Sequence, residues 1–94
     1  MTITQGEYRD YDYDRMIVRF TLKSDDVEVP CSVSTAAMDQ LENCAGASAT
    51  QREAQFMRLR PRIEAQAAVK IGKRELEGTP RGVVLRTIDF PRAA

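Results

Sequence analysis

The stretch Thr50–Lys73, TQREAQFMRLRPRIEAQAAVKIGK, decides the fold. Phe56, Leu59, Ile63, Ala67 and Ile71 follow one another at spacings of three, four, four and four. That is one apolar stripe on a helix turning about 100° per residue. Thr50 stands three residues before Glu53, the spacing of a capping box that satisfies amides left bare at a first turn. The spacing predicts a long amphipathic helix, with the rest of the chain as its platform. Pro61 lies inside it and lacks an amide, at a cost of about 3 kcal/mol in a regular helix interior. Arg60 is a poor N-cap, so one kinked helix is the better reading than two separate ones.

Upstream, Met16–Lys23 alternates Met16, Val18, Phe20 and Leu22 with Ile17, Arg19, Thr21 and Lys23, a half-buried strand of period two. Ser24, Asp25 and Asp26 make a turn. A second strand, Val27–Ser34, points Val27, Val29, Cys31 and Val33 inward. Pro30 cannot donate to a ladder, which puts it at an edge or a bulge. Ser34 offers an N-cap to a short helix, Thr35–Asn43, with Ala37, Met38 and Leu41 on its buried side and Gly46 as a left-handed stop. Gly78–Gly82 reads as a turn and Val83–Phe90 as a closing strand with apolar residues on both faces. Residues 1–15 read as a polar, tyrosine-rich arm and residues 91–94 as a loose tail. The order is β-β-α-α-β. It implies a single α+β domain over 1–94, a small, mainly antiparallel three-stranded sheet with two helices on one face.

These elements resemble those of a small bacterial family, domain of unknown function 1488. The resemblance is carried by V-R-F at Val18–Phe20, V-P-C-S-V-S at Val29–Ser34 and V-V-L-R-T-I-D-F at Val83–Phe90. Between them, Phe56, Arg60, Ile63, Glu64, Ala67 and Lys70 follow the long-helix pattern. Pro61 and the long polar front end depart from it. The resemblance implies this fold and a cytosolic bacterial setting, and it supplies no substrate.

The chain of 94 residues has no histidine, which removes Ser-His-Asp and Cys-His arrangements and most zinc sites. Asp10, Asp12 and Asp14 imitate the start of a calcium loop, but Arg15 occupies its glycine position and Thr21 its glutamate position. Cys31 and Cys44 form no C-x-x-C pair and read as reduced structural thiols of a cytoplasmic protein, in keeping with an amino terminus that lacks an export signal. No glycine cluster lies between a strand and a helix start, as a phosphate cradle requires. No catalytic residue, metal site or cofactor is therefore expected, and no apolar run is long enough to span a membrane.

Net charge is zero, yet residues 1–47 hold nine acids and four bases (net −5) while residues 48–94 hold ten bases and five acids (net +5). Either the halves neutralise each other, or the long helix turns a basic face to an anionic partner. Arg58, Arg62 and Lys73 point away from the apolar stripe and are the candidate partner or anion contacts. Arg60 lies within the stripe, and a buried guanidinium requires a partner. Either its stem covers apolar surface while its head reaches water, or it pairs with Asp89 beside Phe90 in a buried ion pair between helix and last strand, with Glu64 and Glu53 as the other choices. The functional expectation is a non-enzymatic interaction or regulatory module, a homodimer or bound to another protein. A weak nucleic-acid or anion binder is the alternative.

Overall fold

The computed structural model describes residues 2–42, 48–78 and 81–90. Strands β1 (Ile3–Asp12), β2 (Ile17–Ser24) and β3 (Val27–Ser34) lead into helix α1 (Thr35–Glu42). A 3-10 turn (Ala49–Gln51) opens helix α2 (Arg52–Gly72), and strand β4 (Val83–Leu85) is followed by a second 3-10 turn (Thr87–Asp89). The fold is α+β, as expected, but the sheet has four strands in the order β1-β2-β3-β4 and is mixed, because β4 joins β3 in parallel.

The β2–β3 hairpin follows its hydrophobic alternation. Val18, Phe20 and Leu22 of β2 stand beside Val33, Cys31 and Val29 of β3 on one face. Asp25 and Asp26 connect the strands with φ of 51° and 68°, the left-handed pair of a two-residue hairpin turn. The Asp25 carboxylate also accepts the Thr2 amide at 2.8 Å, fastening the start of β1 to this turn.

Within the segment expected to be an arm outside the sheet, residues 3–12 form its first strand. β1 pairs with β2 antiparallel from Ile3↔Ser24 to Asp12↔Ile17, with register shifts between Gln5 and Tyr8 and between Tyr8 and Asp10. The first shift centres on Gly6, where a Cβ would run into the Oγ1 and carbonyl oxygen of Thr21. The freed Glu7 amide donates instead to Thr21 Oγ1 at 2.9 Å. The insertions break the period-two pattern, which is why the strand does not show in the sequence.

Val18, Phe20, Leu22, Cys31, Val33, Val83 and Leu85 form one core with Ala37 and Met38 of α1 and Phe56, Leu59, Ile63, Ala67 and Ile71 of α2. Both helices therefore cover the same sheet face. Phe56 is central, with its ring centroid 5.0 Å from that of Phe20 and 5.7 Å from that of Tyr8. α2 continues through Pro61 as one helix. Its entry differs from expectation. The reciprocal bonds fall two residues earlier than the Thr50–Glu53 pair, with the Ser48 amide donating to Gln51 Oε1 and the Gln51 amide to the Ser48 carbonyl, both at 2.9 Å. Ser34 does cap α1, its hydroxyl accepting the Ala37 amide at 3.0 Å.

The closing strand is shorter than Val83–Phe90. The Asp89 carboxylate accepts the Arg86 amide at 2.7 Å and curls the chain into a 3-10 turn directly after Leu85. Asn43, Cys44, Gly46, residues 79–80 and the tail at 91–94 lie outside the described residues.

Candidate functional site

The charged residues singled out from sequence fall into three groups. On the α1 side of α2 lies a polar clasp. Arg52 is 4% exposed, and its Nη1 donates to Asp39 Oδ1 and Gln55 Oε1, each at 2.7 Å. Gln55 is fully buried and donates onward to Asp39 at 3.0 Å and Glu42 at 3.2 Å. Arg58 closes the cluster with two bonds to the Glu42 carboxylate, at 2.9 and 3.1 Å. The helical spacing of Arg52, Gln55 and Arg58 makes them one ridge facing α1. Sequence reading places Arg52, four residues before Phe56, nearer the core side but gives it no partner, and it misses Gln55, which lies off the apolar stripe. Asp39 and Glu42, three apart on the neighbouring helix, were the available signal. The Nε of Arg52 is buried and has no hydrogen-bond partner among the described residues.

The clasp has an acid-dependent consequence. Burial raises the Asp39 carboxyl, but bonds from Arg52 and Gln55 outweigh it and leave the group below its ordinary value. The Arg58 bond lowers Glu42, against weaker opposition from burial. A carboxyl depressed in the folded state contributes stability that is complete above its unfolded pKa of about 4 and is lost as pH falls through the folded value. Urea unfolding followed from pH 7 to pH 2 should show near-constant stability down to about pH 5 and a decline below about pH 4. Glu42→Gln should make that decline shallower.

The second group corrects the expected Arg60–Asp89 pair. Arg60 Nε bonds Glu64 Oε2 at 2.9 Å, its Nη2 donates to the Gly6 carbonyl at 3.0 Å, and its guanidinium lies 5.6 Å from the Phe56 ring centroid. Gln5 Nε2 reaches the same glutamate at 3.2 Å. The bulge at Gly6 brings a carbonyl within reach of α2, so Arg60 ties the helix to the first strand and not the last. Asp89 pairs with Lys70 instead, Nζ to Oδ1 at 3.0 Å, and the same ammonium donates to the Val84 carbonyl at 2.9 Å. Lys70 is 8% exposed, so this is the buried ion pair between α2 and the C-terminal segment, made by a different cation and with Asp89 in the 3-10 turn beyond the strand.

The third group is the outward face of α2. Arg62 is exposed and bonds the Leu41 carbonyl at 3.4 Å, and Lys73 is exposed just beyond the helix end. Arg58 shares this outer surface but is engaged by Glu42. The structure therefore does not present Arg58, Arg62 and Lys73 as three equivalent cations.

Elsewhere, Asp10 and Asp12 serve Arg19, which bonds the Asp10 carboxylate twice at 2.7 Å and lies 3.8 Å from Asp12. Among the described residues no three His, Cys, Asp or Glu side chains come together to hold a metal ion. Cys31 is a free thiol in the core, and burial pushes it up to about 12. Burial, with the nearby charges of Glu53 and Asp10, also raises the Tyr8 phenol. Among the described residues no helix is long and apolar enough to cross a membrane.

Among the described residues, Val27 at the β2–β3 turn and Met57 and Val69 on α2 are exposed singly, whereas three large apolar side chains meet solvent at the other end of the sheet. Tyr13 (71% exposed) and Met16 (54%) sit in the β1–β2 turn, and Ile88 (85%) sits in the 3-10 turn after β4. The pairings Ile17↔Ser34 and Val33↔Leu85 bring the start of β2 and the ends of β3 and β4 to that same end.

The crystal structure of a protein of unknown function from the same family in Shewanella loihica shares this fold, with a TM-score of 0.78 at 20% identity over 92% of this chain and 97% of that one. A comparison with curated proteins gives no match. The sequence matches the description "Protein of unknown function (DUF1488)" over residues 5–80, most of the chain and all of β2, β3, α1 and α2, and the chain belongs to that family.

Proposed function

We propose that this protein is a small non-enzymatic interaction module that binds a second copy of itself through the sheet end bearing Tyr13, Met16 and Ile88. One observation carries the reading: Ile88 is 85% exposed at the same end as Met16 and Tyr13, and no described residue covers it. Exposed large apolar groups gathered at one place are the usual mark of a contact surface. The adjacent Asp14 and Arg15 suit a twofold contact, in which each acid meets the base of the other copy. A lack of chemistry of its own is supported by pairing: the acids and bases of the clasp neutralise one another, and the Cys31 thiol is held protonated. Sedimentation equilibrium up to about 100 µM, the range of contacts worth roughly 5.5 kcal/mol, should show a dimer that Ile88→Asp dissociates. A monomer throughout, in both proteins, overturns the proposal.

A second reading is a weak anion or nucleic-acid binder, favoured by Arg62 and Lys73 standing exposed on the outer side of α2. Binding of that kind weakens steeply with salt. Absence of any DNA or RNA complex at about 50 mM salt, where phosphate contacts are strong, removes it. The setting we propose is a bacterial cytoplasm, on the strength of the family and of a free core thiol. Recovery of the protein from a secreted or membrane fraction of its host would contradict that.

A further inference from the structure

We propose that the segment Val83–Phe90 is a latch that opens and recloses on an otherwise intact fold, and that the Lys70–Asp89 pair sets how often it opens. β4 is joined to the sheet by only three residue pairs, all in one parallel ladder, against eight pairs between β2 and β3. A short parallel ladder at a sheet edge is a weak attachment. Val83, Leu85 and Phe90 seat the segment in the core, and beyond them it is tied down by single polar side chains of the two helices. Lys70 of α2 donates to the Val84 carbonyl and pairs with Asp89. Gln40 of α1 donates from its Nε2 to the carbonyls of Thr87 at 3.2 Å and Phe90 at 2.8 Å. The chain approaching β4 passes through two left-handed residues, Arg74 at φ 59° and Gly78 at φ 88°, so its path is set by turns and not by a continuous element.

Opening has a defined consequence. Val83 is the parallel partner of Cys31, which is 4% exposed while β4 is in place. Release of β4 uncovers the edge of β3 and brings the thiol to water, where its pKa returns towards an ordinary value of about 8.5. Cys31 is thus a built-in reporter of the latch. In the closed state burial keeps it protonated and out of reach, so alkylation proceeds through the open state.

The test is iodoacetamide labelling of Cys31, resolved by peptide mass spectrometry, in the full chain at urea concentrations below the unfolding midpoint. The wild-type rate should vary little with urea at first, because a local opening exposes little surface, and should join the steep global dependence only near the midpoint. Asp89→Asn and Lys70→Met should each raise the low-urea rate about 10-fold or more, by removing one partner of a buried pair. Phe56→Leu, which perturbs contacts to β1 and β2, should lower global stability without changing the low-urea rate. The latch is overturned if wild-type labelling follows the global urea dependence from the start, or if Phe56→Leu accelerates it as much as Asp89→Asn does.

Discussion

Phe56→Ala is expected to lower the free energy of unfolding by about 3–5 kcal/mol, a large share of the roughly 5–15 kcal/mol that holds a domain of this size together. The side chain is fully buried at the centre of the helix–sheet interface. Truncation leaves a void beside Phe20, Tyr8 and the Arg60 guanidinium, and each is fixed by other contacts. Phe20 belongs to the central hairpin, Tyr8 to the bulged strand, and Arg60 is bonded to Glu64 and Gly6. Collapse into the space is therefore limited, which puts the cost in the upper part of the usual range. Urea unfolding monitored by circular dichroism measures it. A loss below about 1.5 kcal/mol, the scale of a volume-conserving swap, would contradict this packing.

Gly82→Ala is expected to cost about 2–3 kcal/mol through overpacking. A Cβ at this buried position would run into the carbonyl oxygen of Pro30 and lie 2.9 Å from its ring Cγ. Backbone on one side and a rigid ring on the other leave little to yield. The two 2.8 Å bonds between Gly82 and Glu77, which fix the approach to β4, would be strained with it. Gly72→Ala is the contrasting case in the same measurement. A Cβ there meets nothing within 4 Å, and alanine is the better helix former by about 1 kcal/mol, so stability should hold or rise. Equal responses at the two glycines would refute the close approach at Pro30.

The parts of this fold that show in the sequence are those whose burial follows one uninterrupted period. All five stripe residues of α2 are buried, and the alternation of β2 and β3 matches the core face at Val18, Phe20, Leu22, Cys31 and Val33, while Met16 and Val27, at the strand starts, are exposed against expectation. β1 was hidden because its bulges place the half-buried Ile3, Tyr8 and Tyr11 at spacings of five and three, which fit neither a strand nor a helix. The apolar residues on both faces of Val83–Phe90 have a similar cause. Period two ends at Leu85, after which the 3-10 turn exposes Ile88 and buries Phe90. The charged contacts were legible only in kind. A buried cation on α2 paired with Asp89 could be expected, but the choice between Arg60 and Lys70 depended on a carbonyl delivered by the Gly6 bulge. Such a position is fixed by tertiary structure and leaves no trace in residue spacing.

The parallel β3–β4 junction also bears on how the protein is made. β1, β2 and β3 are consecutive in the chain and can fold as a meander while synthesis continues, but the partner for the far side of β3 is encoded about fifty residues later. A growing polypeptide must therefore carry β3 with one flank bare until the ribosome has released residues 83–90, and during that interval the nascent chain is open to mispairing and to chaperones.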